Sequence, residues 1–270
     1  MFKILLMAFI LAFSSFSQAE TIVLEKANTI TINGEVNDTS MSSATSTLFK
    51  MHKELAKDVP IYLFLNTPGG SIHAGLDFIR FAQSLDREIK TITLRAASMG
   101  FVLVQSLGER LILDDGVLMM HRASTSIPGQ VPGELANRVE HTKNFILHVE
   151  KKMAKRLDIS IEAYKNLVHD EFYSLGEQAV KIDAADRVVA VKCGNTLQGT
   201  RKEQVKVFVF TFTLEFAECP LATNPLVLDQ PKEPATNPEQ KTQLEQANEI
   251  IKNLYYMKPT LPEVRYIYAK

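Results

Sequence analysis

Ile61-Tyr-Leu-Phe-Leu65 runs directly into Asn66-Thr67-Pro68-Gly69-Gly70. An apolar run of strand length closed by turn residues reads as a β-strand. A helix follows from about His73 to Ser84. Upstream, Thr21-Ile-Val-Leu24 and Thr29-Ile-Thr-Ile-Asn-Gly34 alternate like strands, and Ser40 to Leu55 reads as a helix with Ala44, Leu48, Met51 and Leu55 on one face. Downstream, Ile89 to Leu94 is a strand, Ser98 to Leu107 a helix, and Arg110 to Leu113 and Val117 to Met120 two more strands. Pro128-Gly-Gln-Val-Pro132-Gly133 is a loop or short extended arm, and Glu134 to Leu157 a long amphipathic helix. Ile161 to Leu167 and Ser174 to Val180 read as short helices, Ala185 to Val191 as a strand. Strands alternating with helices predict an α/β fold.

The 270 residues are 46% hydrophobic and 23% charged, ordinary globular values. A formal net charge of -1 provides no basic field for nucleic acid. Met1-Phe2-Lys3, the apolar run Ile4 to Phe13 and the small-residue end Ser17-Gln18-Ala19 have the form of a secretory signal peptide over residues 1–19, cleaved after Ala19. The alternative is an uncleaved membrane anchor, for which the apolar run is short. Export places the protein outside the cytoplasm, in the periplasm. The only two cysteines, Cys193 and Cys219, then lie where a disulfide is permitted, and such a bridge would contribute about 3–4 kcal/mol.

Composition changes near Cys193. Phe208, Phe210, Phe212, Leu214 and Phe216 would share one face of a single strand from Val205 to Phe216, a face that must be buried. Pro220 to Pro238 reads as a linker and Glu239 to Tyr256 as a helix. The expected division is a leader at 1–19, a main domain at 20–192, a strand extension at 193–224, and a linker with a helical tail at 225–270.

Ser98 lies in Ala96-Ala97-Ser98-Met99-Gly100, where small neighbours would expose a hydroxyl at a strand-to-helix junction. A helix-capping serine fits that context equally well. His121 follows the apolar Val117-Leu-Met-Met120, and Asp170 lies in His169-Asp170-Glu171-Phe172 between two expected helices. A serine hydroxyl needs a base to become a useful nucleophile, and chain order does not decide a triad. The paired glycines at 69 and 70 let backbone N–H groups face a cleft, as an oxyanion hole requires.

Taken together, Leu65-Asn-Thr-Pro-Gly-Gly-Ser71, Gly75, Ala97-Ser98-Met99-Gly100, Met120-His121, Asp170-Glu-Phe172-Tyr-Ser174, Glu177, Ala179 and Ile182-Asp183 resemble the proteolytic subunit of Clp protease over about residues 28 to 190. The resemblance implies a Clp/crotonase fold of repeated ββα units, with the long helix as the family's handle between rings. It implies Ser98 as nucleophile, His121 as base and Asp170 as the acid that orients the base. Gly70 and Met99 match the oxyanion donors. Gly69, Ser71 and Ile72, with Ile127, Gln130 and Val131 in the arm, match the strands that bind extended peptide. No cofactor or metal is implied. The implied partners are a peptide or unfolded-protein substrate and further copies of the chain, with a ring among the arrangements allowed.

Three departures stand out. About ten residues separate Ala19 from the first matched strand, where the family carries an axial segment that meets its ATPase. His169 replaces the family's Arg, and Arg122-Ala123 replaces Gln-Pro. With export, these lead to an ATP-independent serine endopeptidase that works through an acyl-enzyme, without an unfoldase. The alternatives are a Ser–Lys dyad using Lys143, which would have to be buried, and a non-catalytic oligomeric binding module. Crotonase-type acyl-CoA chemistry shares the fold but not the Ser/His/Asp set. The extension after Cys193 has no recognised counterpart; it would cap a sheet edge, block the site or bind a partner.

Overall fold

The computed structural model describes residues 20–232 and 234–255. The expected leader at 1–19 and the last residues of the tail lie outside the described residues. The chain opens with β1 (Glu20–Leu24) and β2 (Thr29–Asn33), then α1 (Asp38–Glu54). Asn37 and Ser40 form a reciprocal capping box, which starts α1 ahead of the expected Ser40. Next come β3 (Ile61–Thr67), α2 (Ile72–Ser84), β4 (Ile89–Ala97), α3 (Met99–Ser106) and β5 (Arg110–Met120). Then follow α4 (Gly133–Arg156), α5 (Ile161–Leu167), β6 (Phe172–Leu175), α6 (Gly176–Lys181) and β7 (Arg187–Cys193).

The main sheet runs β1-β7-β5-β4-β3-β2, with β6 added against β5. Every pairing along that path is parallel, and only β6 is antiparallel. Both faces of β3 are buried, as a parallel sheet covered on both sides requires. Ile61, Leu63 and Leu65 pack under the helices, while Tyr62 and Phe64 face a second cluster with Ile22, Leu24 and Val189. In β4 a register shift between Thr93 and Arg95 reverses this alternation. Ile92 and Leu94 face the second cluster, yet Ala96 lies in the helix-covered core. One extra residue moves everything after it to the other face.

The same irregularity joins the two strands expected at 110–113 and 117–120 into one kinked β5. Thr93 pairs with Ile112 and Arg95 with Val117, so Leu113 to Gly116 bow outward. A Cβ on Gly116 would stand 2.5 Å from the Thr93 carbonyl oxygen, so the kink needs glycine there. The helix expected to begin at Ser174 is also corrected. Ser174 and Leu175 pair with Leu118 and Val117 in β6, and α6 starts one residue later.

The C-terminal part folds around its own core. β8 (Thr200–Val207), β9 (Phe210–Ala217) and β10 (Val227–Asp229) form a small antiparallel sheet, and α7 (Pro238–Tyr255) covers it. The single strand expected from Val205 to Phe216 is thus a hairpin. Val207 pairs with Phe210, and the chain reverses at Phe208-Val209 with Phe208 in the left-handed region at φ 54. Phe208 is consequently exposed, whereas Phe210, Phe212, Leu214 and Phe216 are buried against Ala247 and Ile251. The expected linker contains β10, whose Leu228 pairs with Leu214 of β9. Cys193 and Cys219 form a disulfide with their Cα atoms 5.7 Å apart, tying the end of β7 to the end of the hairpin.

Candidate active site

Three neighbouring parallel strands end side by side, and each delivers one part of the site. β3 ends in the glycine turn, β4 in Ser98 and β5 in His121. Clefts in open α/β sheets form at such carboxyl ends of strands.

Ser98 occupies the left-handed region, at φ 52 and ψ -114. A side chain held there costs on the order of 1–3 kcal/mol. The bend is fixed from two sides. The Ser98 N–H donates to the Met119 carbonyl at 2.9 Å, and Gly69 packs against the Ser98 Cβ. The serine side chain makes no capping bond to α3. Instead its Oγ lies 2.9 Å from His121 Nε2, so helix capping does not account for this residue. With Nε2 unprotonated, the imidazole can accept the hydroxyl proton as the serine attacks.

The glycine turn supports that bend. Gly69 has φ +96, and a Cβ on it would stand 2.6 Å from both the Ala97 carbonyl oxygen and the Ser98 Cβ. Gly70 has φ +142, and its added Cβ would stand 2.3 Å from the Val36 carbonyl oxygen. Val36 donates to the Gly69 carbonyl at 2.8 Å and accepts from the Ser71 N–H at 2.7 Å. In an extended chain successive residues point their N–H groups to opposite sides, so the Gly70 N–H faces away from Val36. Met99 opens α3, where helix amides have no partner four residues back.

Asp170 is the expected residue that the structure does not bring to His121. Its carboxylate is 91% exposed and pairs with His169 Nδ1 at 2.5 Å. The cause is local. The chain turns through Glu171 at φ 71 before entering β6, and the exposed corner leaves the adjacent imidazole as the nearest partner. β6 nevertheless pairs Phe172 with Met120, so the Asp170 backbone lies two residues beyond the residue facing the entry to His121.

A family model described as Clp protease matches residues 16–192. The chain belongs to the Clp protease family. It is similar to the ATP-dependent Clp protease proteolytic subunit 1 of Bacillus cereus, at 28% identity over 176 residues, covering 63% of this chain and 88% of that protein. The same-named subunit of Borreliella burgdorferi is 29% identical over 166 residues, covering 59% and 83%. The proteolytic subunit of Borreliella afzelii is 28% identical over 165 residues, covering 59% and 82%. Family membership makes the chain a serine-type peptidase of the mixed α/β Clp fold.

The other expected site residues divide into two groups. Ile72 lines the cavity beside Ser98, and Ser71 caps α2 by accepting from the Ala74 N–H. Ile127, Gln130 and Val131 do not reach that cavity. The arm folds back on α4: Arg138 donates to the Pro128 carbonyl, the Gln130 N–H donates to Glu134, and Val131 is 79% exposed. Lys143 lies exposed on α4 and does not line the cavity, which removes the burial that a Ser–Lys dyad needs. Among the described residues no His, Cys, Asp and Glu cluster is arranged to hold a metal, and no helix is long and apolar enough to cross a membrane.

Two residues missed from the sequence belong to this Clp-family site. Tyr164 of α5 and Glu150 of α4 line the cavity that opens on Ser98 and His121. Their helical spacing reads as an ordinary buried stripe and a solvated face. Only the packing of α4 against α5 turns both toward the serine.

Proposed function

We propose that the protein is an ATP-independent serine endopeptidase that cleaves peptides or unfolded protein segments outside the cytoplasm. The observation that carries this reading is the 2.9 Å contact between Ser98 Oγ and His121 Nε2 at a strained strand-to-helix bend. His121 takes the Ser98 proton as Oγ attacks the scissile carbonyl. The Gly70 and Met99 N–H groups hold the resulting oxyanion. His121 then protonates the leaving amine, and the acyl-enzyme forms. Water, deprotonated by the same imidazole, releases the acyl product. Asp170 is the acid that steadies the imidazolium, reached by rotating its side chain away from His169. The position of β6 beside β5 supports that assignment.

The form of residues 1–19 and the Cys193–Cys219 bond support export to an oxidising compartment such as the periplasm. Such a compartment offers no ATP. The relatives named above are described as subunits of an ATP-dependent protease; here an unfoldase partner is not expected. Self-association through α4, as a homo-oligomer, follows the family resemblance.

Labelling purified mature protein with a fluorophosphonate, with and without ATP, tests the reading. The wild type is expected to label equally under both conditions and Ser98→Ala not at all. Equal labelling of Ser98→Ala would remove the nucleophile, and ATP-dependent labelling would remove ATP independence. Fractionation of the producing cells, with the protein found in the cytoplasm, would overturn export.

A further inference from the structure

β7 has strands on both sides only at its start. Its register with β5 covers Arg187 and Val188, because β5 bows away at Leu113 to Gly116. From Val189 to Cys193 its partner among the described residues is β1 alone. A groove of about 950 Å³ runs along this edge. Leu113 and Val188 to Val191 give it apolar lining, and Asp114, Asp115 and Glu177 give it acidic lining. It shares no lining residue with the Ser98 cavity. An open strand edge beside apolar surface is a template for one more strand, and proteins tend to cover such edges.

The charges narrow what can cover it. Glu177 pairs with Lys181 at 3.8 Å and Glu20 with Arg187. Asp114 and Asp115 are exposed and make no ion pair among the described residues. The groove therefore suits an extended segment that is both apolar and basic, and the chain holds one. Residues 256–270 lie outside the described residues, and their sequence ends in Glu263-Val-Arg-Tyr-Ile-Tyr-Ala-Lys270. Val264, Tyr266, Ile267 and Tyr268 are strand-favouring types, with Arg265 and Lys270 among them. The distance is within reach. The disulfide fastens the C-terminal unit to the end of β7, and Leu221 of that unit lines the groove. Residues 256–263 can extend over about 26–29 Å from the end of α7.

We propose that Val264 to Ala269 adds to the Val189–Cys193 edge of β7 as one more strand, with Arg265 and Lys270 against Asp114 and Asp115. Backbone hydrogen bonds along the edge supply affinity, and the opposite charges fix the register. The inference goes beyond the peptidase reading and stands without it.

Hydrogen exchange compares the mature protein with a form ending at Tyr255, which keeps α7 whole. Amides of the Val189–Cys193 edge should exchange at least about tenfold faster in the shortened form, while those of β3 hold their rates. A synthetic peptide of residues 257–270 should restore protection to the shortened form and fail to bind the full-length protein. Asp114→Lys with Asp115→Lys should weaken that peptide at least about tenfold. Full-length protein carrying Arg265→Glu and Lys270→Glu, with no residue removed, should lose protection at the same edge. Equal exchange in the full-length and shortened forms would overturn the inference, as would peptide binding indifferent to the two aspartates. Protection that vanishes on dilution would assign the segment to a second copy and overturn the intramolecular strand. Peptide taken up equally by the full-length protein would show the edge unfilled and overturn it too.

Discussion

Ser98 is held by its neighbours in a conformation that a residue with a Cβ avoids, which makes its substitution informative. Alanine keeps the Cβ and hence the strain; glycine releases it. The strain relieved is about 1–3 kcal/mol, and the freer unfolded chain takes back about 0.4–1. Ser98→Gly should accordingly be more stable than Ser98→Ala by about 1 kcal/mol in urea denaturation, with both inactive. Gly69→Ala should do the opposite of a mild change. Its Cβ meets the Ser98 Cβ and the Ala97 carbonyl at 2.6 Å, so the nucleophile must shift. A displacement near 1 Å lowers kcat/KM by about 100-fold. Asp170→Asn should lower kcat/KM by about 100- to 10,000-fold if the carboxylate steadies His121. Full activity in that variant would reduce the triad to a Ser98–His121 pair. The serine, the histidine and the glycine turn were legible because each sits at the end of a recognisable apolar strand. The place of Asp170 was not, because its exposed carboxylate pairs with the adjacent His169 imidazole, a neighbour that sequence spacing does not weigh. Tyr164 and Glu150 were hidden for another reason: they meet the serine only through helices far along the chain.

At the scale of elements, Arg110 clips the end of α3 and the start of β5 to β7. It is 5% exposed and donates to Asp186, to Gln105 Oε1 at 2.8 Å and to the Asp183 carbonyl at 2.5 Å. Gln105 in turn donates to the Ala184 carbonyl at 2.8 Å. Burial works against the Asp186 carboxylate, but hydrogen bonds from Arg110 outweigh it and hold its pKa below the usual range. A depressed carboxylate contributes stability above its unfolded pKa of about 3.9 and loses it as pH falls below that. Urea midpoints should drop as pH falls below about 4, and Asp186→Asn should flatten that part of the profile. Arg110→Ala should cost about 2–3 kcal/mol at neutral pH, somewhat less than a fully buried pair because Asp186 is partly exposed. The helices were readable from periodicity and capping. The kinks were not, since a bulge leaves little trace in a run of apolar residues. The Phe208-Val209 reversal was missed because neither residue is the glycine or asparagine that marks a two-residue turn.

Across the whole molecule, the C-terminal unit stands away from the Ser98 cavity, whose lining includes none of its residues. Truncation at Asn224 should not raise peptidase activity per labelled site. It removes β10 and α7 and bares Phe210, Phe212, Leu214 and Phe216, so soluble yield should fall sharply. Raised activity would show that the unit restrains the site. The unit joins the body covalently through Cys193–Cys219 and through an ion pair of Lys26 with Glu218 at 2.6 Å. The disulfide pairing was legible because the sequence holds two cysteines alone, flanking one apolar alternating segment. The hairpin core between them was not, because its cover comes from a helix beyond a proline-rich stretch. The sheet order also governs time. Among the described residues β1 is the first strand and pairs with β7 alone, and Arg187 on β7 bonds Glu20 across 167 positions of chain. β7 also pairs with β5, the strand that ends at His121. Contacts between such distant segments form late. A chain emerging from synthesis therefore cannot close its sheet until β7 has arrived. Until then the sheet is unfinished at its β1 edge, although β5, the strand that leads into His121, already has β4 to pair with.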